Sequence, residues 1–231
     1  SMRLFSARLE IEGLPADIMD RPFILFKRHA SMLDTIMTPY IFYPLGIHLR
    51  IVVKRELRWD IALDTSLGRL PNAFVRRGSG DAAHEIENVA RLMDGLGPGE
   101  AVMIYPEGTR FTPAKKARIL EKIKQTGDSA AYAHAEAFQR VLPPRPGGPL
   151  ALLERNTGAD VLFCAHTGLE KTHGFRTIFN GGAVGTVVRF QYWRVRFEDI
   201  PASPEARAAW LYNDWKKVDD FACRYELAKP D

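Results

Sequence analysis

The sequence predicts an α/β fold: a mixed, mostly parallel sheet flanked by helices, in a single domain. Short apolar runs bounded by turn residues recur along the chain, and stretches with apolar residues at helical spacing alternate with them. No internal repeat or linker divides the 231 residues, a length that suits one domain with its own core.

The elements follow in order. Ile24 to Phe26 is an apolar run and reads as a buried strand. Ser31-Met32-Leu33-Asp34 has the Ser-x-x-Asp form of a helix start, with apolar residues after it. Ile51-Val52-Val53 is a second strand, Glu56 to Leu70 a helix, and Ala73-Phe74-Val75 a third strand. Asp81 to Leu96 carries Ile86, Val89, Ala90 and Met93 at helical spacing, and Gly97-Pro98-Gly99 stops it. Ala101 to Tyr105 is a strand. Thr112 to Val141 is polar and helical, and a proline-rich loop, Leu142 to Pro149, follows. A helix to about Asn156, a strand at Val161 to Ala165 and a longer strand at Thr186 to Phe197 come next. Glu205 to Leu227 is an amphipathic helix with Leu211, Trp215, Val218, Ala222 and Tyr225 on one stripe, either core packing or a membrane-surface face.

Apolar residues make up 46% and charged residues 26%, which is globular usage and excludes a disordered chain. Two distant cysteines, Cys164 and Cys223, form no disulfide framework and point to a reducing compartment. The net charge is +4, but seven basic residues face three acidic ones between Arg50 and Arg77, and six face one between Arg110 and Lys124. Such clusters suit an anionic partner or two solvated faces. The longest uncharged run, Thr35 to Leu49, is broken by Pro39 and Pro44 and is too short to span a bilayer. The Ser1-Met2 start has the form of a cloning remnant.

Three stretches carry chemistry. His29 and Asp34 sit where an apolar strand gives way to a capped helix, and the entering chain can fold back over the first turn. Asp34 could then bond one imidazole nitrogen and leave the other free as a base. The bland alternative is a capping Asp beside an unrelated His. Tyr105-Pro106-Glu107-Gly108-Thr109-Arg110 follows a strand, with Gly108 permitting a tight turn and Arg110 offering a planar cation suited to phosphate. Phe74-Val75-Arg76-Arg77 delivers two arginines at a strand end, of which one faces a site easily. Other chemistries lack their patterns. Gly78-Ser79-Gly80 is not a hydrolase elbow, and His84-Glu85 has no second zinc histidine. Cys164, His166 and His173 lack a fourth ligand.

Together these stretches resemble the glycerophospholipid acyltransferase family, including the 1-acylglycerol-3-phosphate acyltransferases. The first family motif, His-x-x-x-x-Asp, reads His29 to Asp34. The second reads Lys54-Arg55-Glu56-Leu57 and then Phe74-Val75-Arg76-Arg77. The third is unbroken at Tyr105 to Arg110, and Leu142 to Gly148 looks like the family's Pro-Arg-rich segment. The resemblance spans roughly Glu12 to Glu170. It departs at Arg28, where the family usually has Asn, and at Val161 to His166, where the fourth motif lacks its Pro.

The resemblance implies transfer of a fatty acyl group from acyl-CoA or acyl-carrier protein to a lysophospholipid hydroxyl, best 1-acylglycerol-3-phosphate. Glycerol-3-phosphate, another lysophospholipid or an amino-lipid remain open as acceptors, and a basic lipid-binding module is the non-enzymatic alternative. It implies His29 and Asp34 as the catalytic pair, and Lys54, Phe74, Arg77, Glu107, Gly108, Thr109 and Arg110 as substrate-binding residues. No metal, cofactor or nucleic-acid partner is expected. The expected partner is a membrane surface, on its cytoplasmic side, reached peripherally or through an anchor absent from this chain.

Overall fold

The run Phe23 to Lys27 has no polar alternation because both faces of its strand are covered, and all five residues are buried. The computed structural model describes residues 2–4, 7–31, 33–54, 73–75, 82–170 and 185–227. Within them lie strands β1 (Met2–Leu4), β2 (Ala7–Glu12), β3 (Phe23–Lys27), β4 (His48–Lys54), β5 (Ala73–Val75), β6 (Glu100–Ile104), β7 (Asp160–Thr167) and β8 (Val187–Val195). The helices are α1 (Leu33–Phe42), α2 (Ala82–Ala90), α3 (Pro113–Thr126), α4 (Ser129–Glu136), α5 (Gly147–Glu154) and α6 (Pro204–Leu227).

The strands form one sheet in the order β1-β2-β8-β7-β3-β6-β4-β5. From β7 to β5 every neighbouring pair is parallel. β8 runs antiparallel to β7, β2 parallel to β8, and β1 antiparallel to β2. The predicted mixed, mostly parallel α/β sheet flanked by helices is therefore what the chain forms. Successive residues of β3 serve opposite faces. Leu25 packs with Leu49, Met103 and Leu162 under Leu33, Met37 and Phe42 of α1. Ile24 and Phe26 pack with Val102, Ile104, Val161 and Phe163 under helices α2, α5 and α6.

The stripe on α6 belongs to that second core: Leu211, Trp215, Val218 and Ala222 are fully buried. Each large apolar side chain so buried contributes about 1.5–3 kcal/mol. These residues are thus core packing, the first of the two readings of this helix. Among the described residues no helix is long and apolar enough to cross a membrane.

Several boundaries differ from expectation. The polar helical stretch from Thr112 divides into α3 and α4. Gly127 takes φ +75° and ends α3, and the Asp128 side chain accepts from Ala131 N–H to start α4. The helix expected to reach Leu96 ends at Ala90 and tightens into a 3-10 turn over Arg91–Met93. The strands β1, at the sheet edge, and β2, beside it, had no counterpart in what the sequence predicts, although Leu9 and Ile11 alternate with charged residues in β2. The helix expected over Glu56 to Leu70 lies outside the described residues.

Candidate functional site

Because β7, β3, β6, β4 and β5 are parallel, their carboxyl ends share one edge of the sheet, where α/β folds hold their ligands. His29 follows β3, Tyr105 to Arg110 follow β6, and His166 is the penultimate residue of β7. Lys54 ends β4 in register with Val75, and Phe74 pairs with Val53, so both stand at the same edge. Arg77 lies outside the described residues.

The first turn of α1 builds the core of the site. Leu33 N–H donates to Ser31 Oγ at 3.1 Å, while Asp34 Oδ2 accepts from Ala30 N–H at 2.6 Å and Ser31 N–H at 2.7 Å. The Asp34–Ser31 bond is the carboxylate half of a capping box, with Asp in place of Glu, while Ser31 Oγ accepts two residues on instead of three. The same oxygen lies 3.2 Å from His29 Nδ1. Asp34 thus both caps the helix and lies within hydrogen-bond distance of the imidazole. Accepting from Nδ1–H, Asp34 leaves Nε2 with its lone pair. The His29 ring stacks on Tyr105 with centroids 4.1 Å apart, and its side chain keeps 19% of its surface exposed.

Asp34 itself is fully buried. Burial opposes its ionisation, but His166, the His29 bond and Lys27 outweigh that penalty and hold the carboxyl well below its usual range. Lys27 is buried beneath it, with Nζ donating to the Asp34 carbonyl at 2.7 Å and Thr38 Oγ1 at 2.5 Å. Burial pushes the Lys27 ammonium down.

The Tyr105–Arg110 turn holds the other side. Glu107 has no exposed surface. Its Oε1 accepts from His29 N–H and its Oε2 from Leu142 N–H, both at 2.8 Å. Burial pushes the carboxyl up to about 8 against the pull of those two bonds. The side chain is therefore a buried tie between two loops, beneath the surface a ligand would meet. Gly108 takes φ +69°, and a Cβ there would lie 3.1 Å from Arg145 Cδ, so the turn needs glycine. Gly108 N–H donates to Tyr105 O at 2.8 Å, closing the turn. Lys115 Nζ donates to Thr109 Oγ1 and to the Arg110 carbonyl, each at 2.9 Å. Arg110 is half-buried in the loop leading to α3.

Several residues of this network were not among the expected site residues. Arg145 packs on Gly108 and donates its N–H to Pro106 O at 2.8 Å. Its place in the Pro-Arg-rich segment was the available signal. Beside it an open, mainly apolar groove of about 500 Å³ is lined by Ile119, Ile123, Ala135, Pro144, Arg145 and Tyr212, among others. Arg28, one of the departures noted above, turns inward: Nη1 donates to His166 O at 2.6 Å and Glu170 Oε1 at 2.7 Å, and Nη2 to Arg140 O at 3.0 Å. Arg50 likewise binds the Leu92, Asp94 and Gly95 carbonyls and the Glu100 carboxylate, so it braces the fold. Cys164 is a core residue whose thiol burial pushes up to about 11, and His173 lies outside the described residues.

The Glu107 tie makes an isosteric change costly. In Glu107→Gln one amide N–H must face a backbone N–H, leaving a buried donor unpaired, so urea unfolding should show a loss of about 1–3 kcal/mol. The raised carboxyl also sets a sign. The folded state holds the proton more tightly, so this contribution is complete below pH 4.5 and is lost as pH rises through about 8. Glu107→Gln should lack that slope; the same slope in both proteins would mean that Glu107 is ionised throughout.

The comparisons agree with this geometry at the level of family. Neither the curated proteins nor the solved structures give a match to the chain. The family model described as Acyltransferase matches residues 8–148, which include His29, Asp34 and the whole Tyr105–Arg110 turn. The match covers more than half of the chain, which belongs to the acyltransferase family.

Proposed function

We propose that this acyltransferase moves a fatty acyl group from acyl-CoA or acyl-carrier protein to the free hydroxyl of a lysophospholipid, best 1-acylglycerol-3-phosphate. The observation that carries the reading is the 3.2 Å contact of His29 Nδ1 with a buried, ionised Asp34, at the carboxyl edge of the parallel part of the sheet. In the reaction, His29 Nε2 takes the hydroxyl proton as the oxygen attacks the thioester carbonyl carbon. Asp34 stabilises the imidazolium that forms. The tetrahedral intermediate then collapses, the carbon–sulfur bond breaks, and the thiolate receives the proton from His29. The products are an ester and a free thiol, with no covalent acyl-enzyme and no cofactor beyond the donor.

Lys54, Arg77 and Arg110 would hold the acceptor's phosphate, with Phe74 and Thr109 beside them. A phosphate monoester carries nearly two charges where a diester carries one, so three cations favour the monoester. The mainly apolar lining of the groove beside Arg145 suits an acyl chain. Both substrates carry acyl chains, which supports a reaction at a membrane surface, on its cytoplasmic side.

A panel of lyso-lipid acceptors with one radiolabelled acyl-CoA tests the acceptor. In Arg77→Ala the acceptor KM should rise about 10- to 100-fold, as expected for loss of a charge-assisted pair worth roughly 1.5–3 kcal/mol. Arg77→Lys should recover only part, since an ammonium cannot reproduce the planar fork. Unchanged acceptor kinetics in Arg77→Ala, or preference for an acceptor without phosphate, would assign the basic residues to the donor or the membrane.

A further inference from the structure

The peptide unit joining Arg28 to His29 is gripped at both ends by buried side chains. Its N–H, on His29, donates to Glu107 Oε1 at 2.8 Å. Its carbonyl, on Arg28, lies 3.0 Å from His166 Nε2. We infer that His166 is a positioning residue for acyl transfer: through the Arg28 carbonyl it fixes the peptide plane that aims the His29 ring at Asp34. The inference rests on the proposed role of His29 as base and adds a residue to that machinery.

The protonation of His166 follows from its neighbours. A carbonyl oxygen can only accept, so Nε2 must carry the hydrogen. The second group near Nε2 is Asp34 Oδ1, at 3.5 Å, too long for a good hydrogen bond but close enough for the N–H dipole to face the charge. Burial drives the ring's pKa down to about 4, with Asp34 opposing and the Lys27 and Arg28 cations assisting, so His166 is neutral near pH 7. The remaining nitrogen, Nδ1, is buried without a partner. An unpaired buried acceptor is costly, and an apolar ring would pack against Phe190 without that cost. A packing role alone gives no reason for histidine here, whereas the Nε2–H bond does.

The arrangement is also reciprocal. Arg28 Nη1 donates to the His166 carbonyl at 2.6 Å while His166 Nε2–H donates back to the Arg28 carbonyl. Two departures from the family pattern, Arg28 and the stretch ending in His166, therefore meet in one lock between the ends of β3 and β7. Glu107 closes the same peptide from the β6 side. A base misplaced by about 1 Å can lose about 100-fold in rate, so a lock on this peptide bears directly on turnover.

The test compares His166→Gln with His166→Asn. A glutamine amide nitrogen reaches the place of Nε2, and an asparagine amide stops near Nδ1. The Gln variant should keep kcat within about threefold of the parent, while Asn should lose about 10- to 100-fold with acceptor KM within about twofold. A folded Asn variant with unchanged kcat, or equal losses in both variants, would overturn the assignment. Nitrogen-15 spectra of labelled histidines give a readout independent of activity. At pH 7 His166 should be the Nε2–H tautomer and His29 the Nδ1–H tautomer, with the His29 preference lost in His166→Asn and kept in His166→Gln. An Nδ1–H tautomer at His166 would sink the inference. Should the parent protein transfer no acyl group to any acceptor, the proposed function would fail, and the spectra would still decide the lock.

Discussion

His29→Ala is expected to lower acyl transfer by about 10²- to 10⁴-fold, the usual contribution of a positioned general base. Substrate binding should change little, because the lost proton transfer occurs only in the transition state. The fold should survive, since the ring is partly exposed and the backbone groups that tie the loop remain. Its N–H still reaches Glu107 Oε1 and its carbonyl still accepts from Phe111 N–H at 3.0 Å. Stopped assays for ester product, with circular dichroism to verify folding, check this. Turnover within a few-fold of the parent in a folded variant would remove His29 from the chemistry.

Asp34→Asn should be nearly as damaging, and for two reasons that can be separated. The carboxylate stabilises the imidazolium as His29 takes its proton, and a neutral amide cannot, so a loss of about 10²- to 10⁴-fold in kcat is expected. Asp34 Oδ2 also accepts from three donors, and Oδ1 lies 3.5 Å from the His166 Nε2–H without a hydrogen bond to it. An amide offers one acceptor and turns two N–H groups toward a donor, which should cost roughly 1–3 kcal/mol of stability. The pH dependence carries the same signature. Because the folded carboxyl is held below its unfolded value of 3.8, its contribution is complete above that pH and is lost only as pH falls below it toward the lower folded value. Unfolding curves at pH 7 and at about pH 2 should therefore show the parent losing its advantage over Asp34→Asn toward acid. A variant as active as the parent would show that Asp34 is only a helix cap.

Much of this site was legible because its signals are local. Ser31-x-x-Asp34 marked the helix start, and a capped turn after a buried strand is short enough for His29 and Asp34 to meet. Pro106 and Gly108 marked the strand end and the left-handed turn. The apolar run Ile24 to Phe26 announced a buried strand. Long-range partners were not legible. Nothing in the spacing of Glu107 and Leu142 says that a carboxylate will bridge them to His29, since that contact depends on the order of β3, β6 and β7 in the sheet. His166 read as a stray metal-ligand type for the same reason: it lies 137 positions from His29 in the chain and one strand away in space. Arg50 and Arg28 were counted among cations or departures, yet both are held by carbonyls that only the fold supplies. Charge clustering in sequence did not distinguish a brace from a binding group.

The central claim, that His29 drives acyl transfer to a lipid hydroxyl, is tested most directly by thiol release from acyl-CoA. With 1-acylglycerol-3-phosphate present, free CoA and labelled diacyl product should appear in equal amounts, and neither should form without acceptor or in His29→Ala. Lipid binding that fades with salt, is indifferent to His29→Ala and releases no CoA would contradict the account and leave a charged lipid-binding module in its place.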